Sequence, residues 1–287
     1  MRKIRSFWPQ HSLSDKLAFS FTHLGLIGII LFEFFIVLPI YHEPFTKMFC
    51  IQIAIGLYLA FQVFSNLYAM IIFNSSIKSQ TNLPSVLYPD WVYCNFCQLN
   101  TPPRAHHCPV CNVCVLKRDH HCVFTGNCVG FYNHRYFIMM VFHLWLGCFY
   151  CLLYNIEYYI VMLGNIGFGM LLKLLFPLLA WTFGFLNSYQ LFIAFIMGIN
   201  CMAMLLFSAL VCFQIFFISS GQTQFECRKK INYYSLSLLE NWRVVLGNRW
   251  FLTWICPYIT SKLPGDGTDF KKSSIEMSPV YSNVKYL

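Results

Sequence analysis

The sequence predicts an all-α polytopic membrane protein: four transmembrane helices, with a small cytosolic cysteine-rich domain between the second and the third. Three observations predict it, namely long apolar runs, a lopsided distribution of Lys and Arg, and one dense cluster of Cys and His. Of the 287 residues 57% are hydrophobic, 19% aromatic and only 11% charged, whereas soluble domains carry roughly 25% charged and about 45–50% apolar residues. Runs at 17–40, 48–73, 137–161 and 189–219 each reach the roughly 20 apolar residues that a bilayer-crossing helix needs. A fifth apolar stretch, 166–186, is interrupted by Lys173, Pro177 and Gly184 and is expected to be re-entrant or to lie on the membrane surface.

Cytosolic loops near membrane spans are enriched in Lys and Arg. Four spans with both termini cytosolic place 18 of the 20 Lys and Arg residues on one side, leaving Lys47 and Lys173 on the other. A fifth span would carry Arg228, Lys229 and Lys230 across the membrane. The chain therefore divides into a cytosolic arm 1–16, spans at 17–73, a cytosolic cysteine-rich domain 74–136, spans with an apolar lumenal loop at 137–219, and a cytosolic tail 220–287. The first run is longer than a signal-peptide core and no small-residue cleavage site follows it, so it is expected to stay as an anchor. The net charge of +9 is a topology signal, with attraction to anionic headgroups of the bilayer. Nucleic-acid binding is excluded, because no basic face with base-stacking aromatics is present.

Seven of the 14 cysteines fall between Cys94 and Cys128, with His106, His107, His120 and His121 among them. In a cytosolic loop thiols stay reduced, so clustered Cys and His point to metal rather than to disulfides. Cys50, Cys148, Cys151, Cys201 and Cys212 are expected to be small buried apolar residues. Repeated Cys-x2-Cys steps, Cys94/Cys97 and Cys108/Cys111/Cys114, with nearby histidines suit structural zinc, which takes four tetrahedral Cys or His ligands. Two such sites use eight ligands, and the cluster offers eleven. One cysteine and two histidines remain over, and the inventory alone does not choose them. In the run Asp119-His120-His121-Cys122, a metal on His121 would pin the backbone while Cys122 points elsewhere. His120 would then be placed to take the thiol proton and Asp119 to hold its ring, the logic of Cys-His-acid enzymes.

This segment resembles the cysteine-rich domain of the DHHC-type protein S-acyltransferases, the palmitoyltransferases, in Pro103-Arg104-Ala105-His106-His107-Cys108, in Asp119-His120-His121-Cys122, and in Asn127-Cys128-Val129-Gly130 with Asn133. The resemblance implies one zinc on Cys94, Cys97, His107 and Cys114 and a second on Cys108, Cys111, His121 and Cys128. It makes Cys122 the acyl-accepting nucleophile, His120 its base and Asp119 the residue that orients the base, and leaves His106 at the surface or behind a ligand. Two shorter matches follow: Thr223 and Glu226 fit the family's Thr-Thr-x-Glu motif, and Asn241, followed by Gly247, fits a C-terminal motif whose Asn packs on the core. The chain departs from the pattern at Val123-Phe124-Thr125-Gly126, where Pro-Trp and polar residues usually stand. Gln224 replaces the second Thr, and the Asp-Pro-Gly usual after the second span is missing.

The implied reaction transfers a long acyl chain from acyl-CoA, typically palmitoyl-CoA, to cysteines of membrane-proximal substrate proteins through a Cys122 thioester. An accessory protein is left open. Burying acyl methylenes contributes about 0.8 kcal/mol each, which favours a slot among the spans; Gly25, Gly28 and Gly147 are read mainly as sites of close helix approach. Arg104, Lys117, Arg118 and Arg135 are expected to meet the phosphates of CoA, and Glu33, His143 and Glu157 to sit inside the bundle or at its edge. Residues 231–258, with Trp242, Trp250 and Trp254, are expected at headgroup level, and the chain beyond Pro264 to be flexible. The compartment implied by the family is the endoplasmic reticulum or Golgi. The competing reading is a zinc-stapled membrane adaptor in which Cys122 is inert.

Overall fold

The computed structural model describes residues 12–77 and 88–273. Most of the 1–16 arm, a part of the 74–136 domain and the end of the tail thus lie outside the described residues. Among the described residues four helices are long and apolar enough to cross a bilayer: Leu13–Tyr41, Lys47–Ile72, His134–Tyr154 and Ser188–Ser219. At 1.5 Å rise per residue even the shortest, of 21 residues, covers the roughly 30 Å hydrocarbon core. The first begins earlier than the apolar run because Ser12 and Asp15 form a reciprocal cap: the Asp15 N–H donates to Ser12 Oγ and the Ser12 N–H to Asp15 Oδ2. The last is capped in the same way by Asn187 and Gln190.

No straight helix fills 166–186. Phe168–Leu175 and Pro177–Thr182 are separate short helices, broken at Phe176, whose φ −129° and ψ 56° lie outside the α region, which a following proline disfavours. Ile156–Leu163 and Phe168–Leu175 meet at 88°. The third span stops at Tyr154, before the reading from apolar residues alone would end it.

The chain forms two compact units. One, His23–Phe64 with Met140–Cys212, packs Phe32, Val37, Tyr158, Tyr159, Leu163, Met170 and Ile193 into its core. The first span widens there into a π-helical turn, Glu33–Val37, where the Glu33 carboxylate accepts a 2.6 Å hydrogen bond from Asn155 Nδ2; a polar group at this depth is held by a protein partner, as lipid requires. Two expectations are corrected in this unit. A Cβ added at Gly25, Gly28 or Gly147 meets nothing within 4 Å, so close helix approach does not explain these glycines. Cys50 and Cys212 are exposed on the outer faces of the helices, and Cys148, Cys151 and Cys201 are half-buried; on a span, lipid supplies the apolar surroundings that a soluble protein must supply by burial.

The other unit, Met1–Thr22, Ser65–Met139 and Phe213–Leu287, contains three two-stranded antiparallel hairpins: β1 (Val92–Cys94) with β2 (Leu99–Thr101), β3 (His106–Cys108) with β4 (Val113–Val115), and β5 (His120–Cys122) with β6 (Asn127–Val129). Each hairpin starts 14 residues after the one before it. Gln98, Asn112 and Gly126 occupy the same place in the successive turns, all at positive φ, so one turn geometry is used three times.

The tail is packed rather than loose. Leu238–Leu246 is a helix capped by Ser237 and Glu240 and ended by Gly247 at φ +81°. Val245 and Leu246 join Ile138, Met139 and Ile218 in a buried cluster, against which Trp242, Trp250 and Trp254 pack, so these tryptophans serve the core as well as any interface. Beyond Pro264 the expectation of flexibility is corrected for 264–273: Phe270 packs on the cluster of Ile77, Ala105, Cys114, Leu116 and Phe131, and Tyr132 donates from its hydroxyl to the Asp266 carbonyl. One aromatic anchor in a polar stretch was enough to order it. Residues 274–287 lie outside the described residues.

Asn241 joins the tail to the end of the last span. Its Nδ2 donates to the Ser219 carbonyl at 2.9 Å and to the Leu236 carbonyl at 3.2 Å, and its Oδ1 accepts from the Leu236 N–H at 3.0 Å. Gly221, at φ +69°, has no room for a Cβ, which would stand 2.7 Å from Asn241 Oδ1. Replacing Asn241 by Leu strands these buried groups at about 1–3 kcal/mol each, and should lower the thermal unfolding midpoint of the purified protein by several degrees, measured by intrinsic fluorescence.

Candidate active site

Successive side chains on a strand point to opposite faces, and this alternation sorts the ligands. In the second hairpin His107 pairs with Cys114 across the strands, so the two share a face, and Cys94, at the end of β1, and Cys97, in the turn after it, complete a group of four. Cys108, the next residue, faces the other way. It joins Cys111, and the cross-strand pair His121 and Cys128 of the third hairpin, in a second group of four. Each group therefore takes the last residue of the first strand and one turn residue from one hairpin, and a cross-strand pair from the next.

Both groups fit zinc. Ligands about 2.3 Å (sulfur) and about 2.0–2.1 Å (nitrogen) from a tetrahedral ion lie about 3.8 Å (S···S) and about 3.6 Å (S···N) apart. Cys111 and Cys128 Sγ are 3.7 Å apart, and His121 Nδ1 stands 3.9, 3.3 and 3.7 Å from the Sγ atoms of Cys108, Cys111 and Cys128. In the other group Cys97 Sγ is 3.3 Å from His107 Nδ1. Neither set leaves a ligand position open for substrate, so metal bound here would staple the hairpins.

Cys122 occupies in the third hairpin the place that Cys94 and Cys108 hold in the first two. Thr125 stands where Cys97 and Cys111 stand, and among the described residues no fourth hairpin follows to complete a third site. The turn is closed instead by Thr125, whose N–H and hydroxyl both donate to the Cys122 carbonyl, at 3.2 and 3.3 Å. This 14-residue recurrence was readable in the sequence and is the signal that picks Cys122 out of the seven cysteines.

The Cys122 side chain is buried and interacts with the His120 ring. The His120 Nδ1–H donates to Asp119 Oδ2 at 2.7 Å, which leaves Nε2 as the basic nitrogen. Asp119 is fully buried, and its Oδ1 accepts the Gln224 backbone N–H at 2.7 Å. Burial opposes ionisation of Asp119, but the bonds from His120 and Gln224 outweigh it and hold the carboxyl below the usual range. Burial likewise opposes a charged His120, yet Asp119 and Cys122 raise it to about 9. The Cys122 thiol is lowered, its burial offset by His120 and Thr125. The arrangement favours a thiolate beside an imidazolium, the activated form of a cysteine nucleophile. The His120 ring rests edge-on against Phe137, with centroids 4.8 Å apart, which puts the site at the first turns of the third span.

The motif after the last span supports this array. Thr223 and Glu226 form a capping box on the short helix Gln224–Arg228, and that helix presents the N–H that Asp119 accepts. A backbone group makes the contact, so Gln224 serves in place of the family's second Thr. The Glu226 carboxylate accepts from Arg104 Nε and Nη2, each at 2.6 Å. Arg104 also donates to the Gly221 carbonyl and lies between the rings of Tyr234 and Phe270.

Arg104 is thereby corrected from a CoA contact to a buried ion pair. Arg135 donates to the Ser261 carbonyl and the Tyr136 hydroxyl and stacks over the Tyr136 ring. Arg118 keeps a buried Nε without a partner, and buried Lys117 lines a cavity of about 360 Å³ with Arg243 and Lys271. His106 does not lie loose at the surface but stacks on Phe225, with centroids 3.9 Å apart, and burial holds it neutral, at about 4.

The model of the DHHC palmitoyltransferase family matches residues 87–231. Probable palmitoyltransferase ZDHHC24 of Danio rerio is 39% identical over 226 residues, 75% of this chain and 76% of that protein. The Homo sapiens protein of the same name is 31% identical over 78% of this chain and 79% of its own length, and human palmitoyltransferase ZDHHC20 is 28% identical over 67% of this chain and 49% of its own. The chain belongs to the DHHC palmitoyltransferase family.

Two measurements check the geometry. Zinc analysis by plasma mass spectrometry should find two ions per chain in wild type and in Cys122→Ser, and fewer in Cys111→Ser. Glu226→Gln leaves Arg104 charged and buried without its counterion, a change of about 3–5 kcal/mol; the variant should unfold well below wild type in a thermal scan, and Arg104→Met combined with it should recover part of the loss.

Proposed function

We propose that the chain is a protein S-palmitoyltransferase that works by two successive thioester exchanges at Cys122. His120 takes the Cys122 proton, and the thiolate adds to the carbonyl carbon of acyl-CoA. The carbon–sulfur bond to CoA breaks, the CoA thiolate leaves with the proton from His120, and an acyl-Cys122 thioester remains. A cysteine thiol on a protein substrate then loses its proton to His120 and attacks the same carbonyl. The acyl group leaves on the substrate, and the proton returns to Cys122. Asp119 stabilises the imidazolium formed in each half and fixes its tautomer. The observation that carries this reading is the continuous contact from the Gln224 N–H through Asp119 and His120 to Cys122, beside two complete metal shells that exclude Cys122.

Of the four cationic residues read as CoA contacts, two keep that reading here: Arg118, whose buried Nε has no hydrogen-bond partner among the described residues, supports it, and so does Lys117, which lines a cavity with Arg243 and Lys271. The charge distribution supports cytosolic termini and a cytosolic site, so the substrates are proteins held near the membrane by other means, with cysteines on that face. The family points to the endoplasmic reticulum or Golgi. The adaptor reading is not favoured, because the substituted turn after Cys122 is closed by Thr125 and keeps the hairpin.

The test is labelling of purified, detergent-solubilised protein with an alkynyl palmitoyl-CoA. Wild type should take up label that neutral hydroxylamine releases, and zinc-replete Cys122→Ser should take up none. His120→Ala with both zincs in place should lose at least two orders of magnitude in labelling rate, as expected for a general base. Zinc-loaded wild type that stays unlabelled would point to the adaptor.

A further inference from the structure

We infer that Asp15, in the first turn of the first span, is a positioning residue for the second metal site, holding His121 by its outer ring nitrogen so that the inner one stays aimed at the cysteines. The inference rests on the metal reading of the Cys108 group and not on the acyl-transfer reading. The His121 Nε2–H donates to Asp15 Oδ1 at 3.2 Å, while Nδ1 of the same ring faces the Sγ atoms of Cys108, Cys111 and Cys128. A neutral imidazole has one proton; a carboxylate that accepts it at Nε2 leaves the Nδ1 lone pair for the metal, fixes the ring plane and raises the ligand's basicity.

The carboxylate is itself held rigidly. Asp15 is only 2% exposed, its Oδ2 accepts the Ser12 N–H at 3.2 Å, and its own N–H donates to Ser12 Oγ at 3.1 Å. The three-residue spacing that caps the helix therefore turns one carboxylate oxygen to the helix end and the other to His121. This ties the start of the first span to a ligand 106 positions away in sequence. The first metal site is built differently: among the described residues no carboxylate hydrogen-bonds His107, whose ring stacks on Phe96 with centroids 4.9 Å apart. One site is thus braced by a carboxylate and the other is not, within one chain, which supplies an internal control.

The experiment measures zinc release from full-length, detergent-solubilised protein to a colorimetric chelator, with Cys97→Ser, which lacks the first site, assigning the phases. Asp15→Ala should speed release from the Cys108 site about 10–100-fold and leave the Cys94 phase unchanged. Ser12→Ala, which loses the Oγ half of the cap but keeps the carboxylate and the backbone N–H that it accepts, should leave both phases as in wild type. Asp15→Ala protein that arrives with zinc in the Cys94 site alone is the same result at its limit. Unchanged release from the Cys108 site in Asp15→Ala overturns the inference. So does equal acceleration in Ser12→Ala, which would make the cap the operative contact, or parallel loss of both zincs, which would make Asp15 a general folding residue.

Discussion

A strand residue beside a metal ligand faces away from the metal. Everything about the site follows from applying that constraint to three hairpins in a row. His107 and Cys108 are neighbours in sequence, yet they belong to different groups of four. His121 and Cys122 repeat the pair, but the array ends there, and among the described residues no further hairpin offers a His and a Cys to meet Cys122. The residue chemically most like a zinc ligand is thereby left as a thiol. A metal on its neighbour His121 would hold it in place without quenching it. A metal-bound Cys122 would be a poor nucleophile, and a Cys122 on an unbraced loop would have no fixed relation to His120.

The second constraint is that a carboxylate buried as fully as Asp119 needs both oxygens occupied. His120 takes one. The other is met from a distant part of the chain, the Gln224 backbone N–H at the start of a five-residue helix. A helix that short is stable only if pinned, and the buried Arg104–Glu226 pair pins it. Buried ion pairs are weak sources of net stability but strongly resist the loss of one partner. This suits a role in fixing geometry rather than in adding stability. Asn241 then fixes the segment behind it to the end of the last span. The tail of this chain is therefore part of the support of the quartet, as the packing of Phe270 over Arg104 also indicates.

What the sequence disclosed and what it hid divide along physical lines. Span number was legible because the bilayer demands long unbroken apolar runs, and the ligand inventory because zinc demands a narrow set of residue types. The boundaries of the first and last spans were not, since they are set by caps at Ser12 and Asn187 that hydropathy does not register. The contact of Asp15 with His121 and that of Arg104, expected on CoA, with Glu226 were not legible, because each partner lies more than 100 positions away. The ordered stretch 264–273 was misread because one Phe among polar residues is a weak signal, whereas one Phe in a preformed slot is a strong contact.

The departures from the family pattern can now be weighed by what each position does. Gln224, where a Thr is usual, meets Asp119 through its backbone N–H, a contact that does not use its side chain. Val123 and Phe124 lie at the tip of the third hairpin, about two-fifths exposed, in a turn whose closure depends on Thr125 and on Gly126 at φ +61°. The turn thus keeps its shape while its outward face differs from the family's, with Val123 and Phe124 standing where Pro and Trp are usual. That face stands next to Cys122, so these departures change the surface around the thiol while the hairpin that carries it is kept.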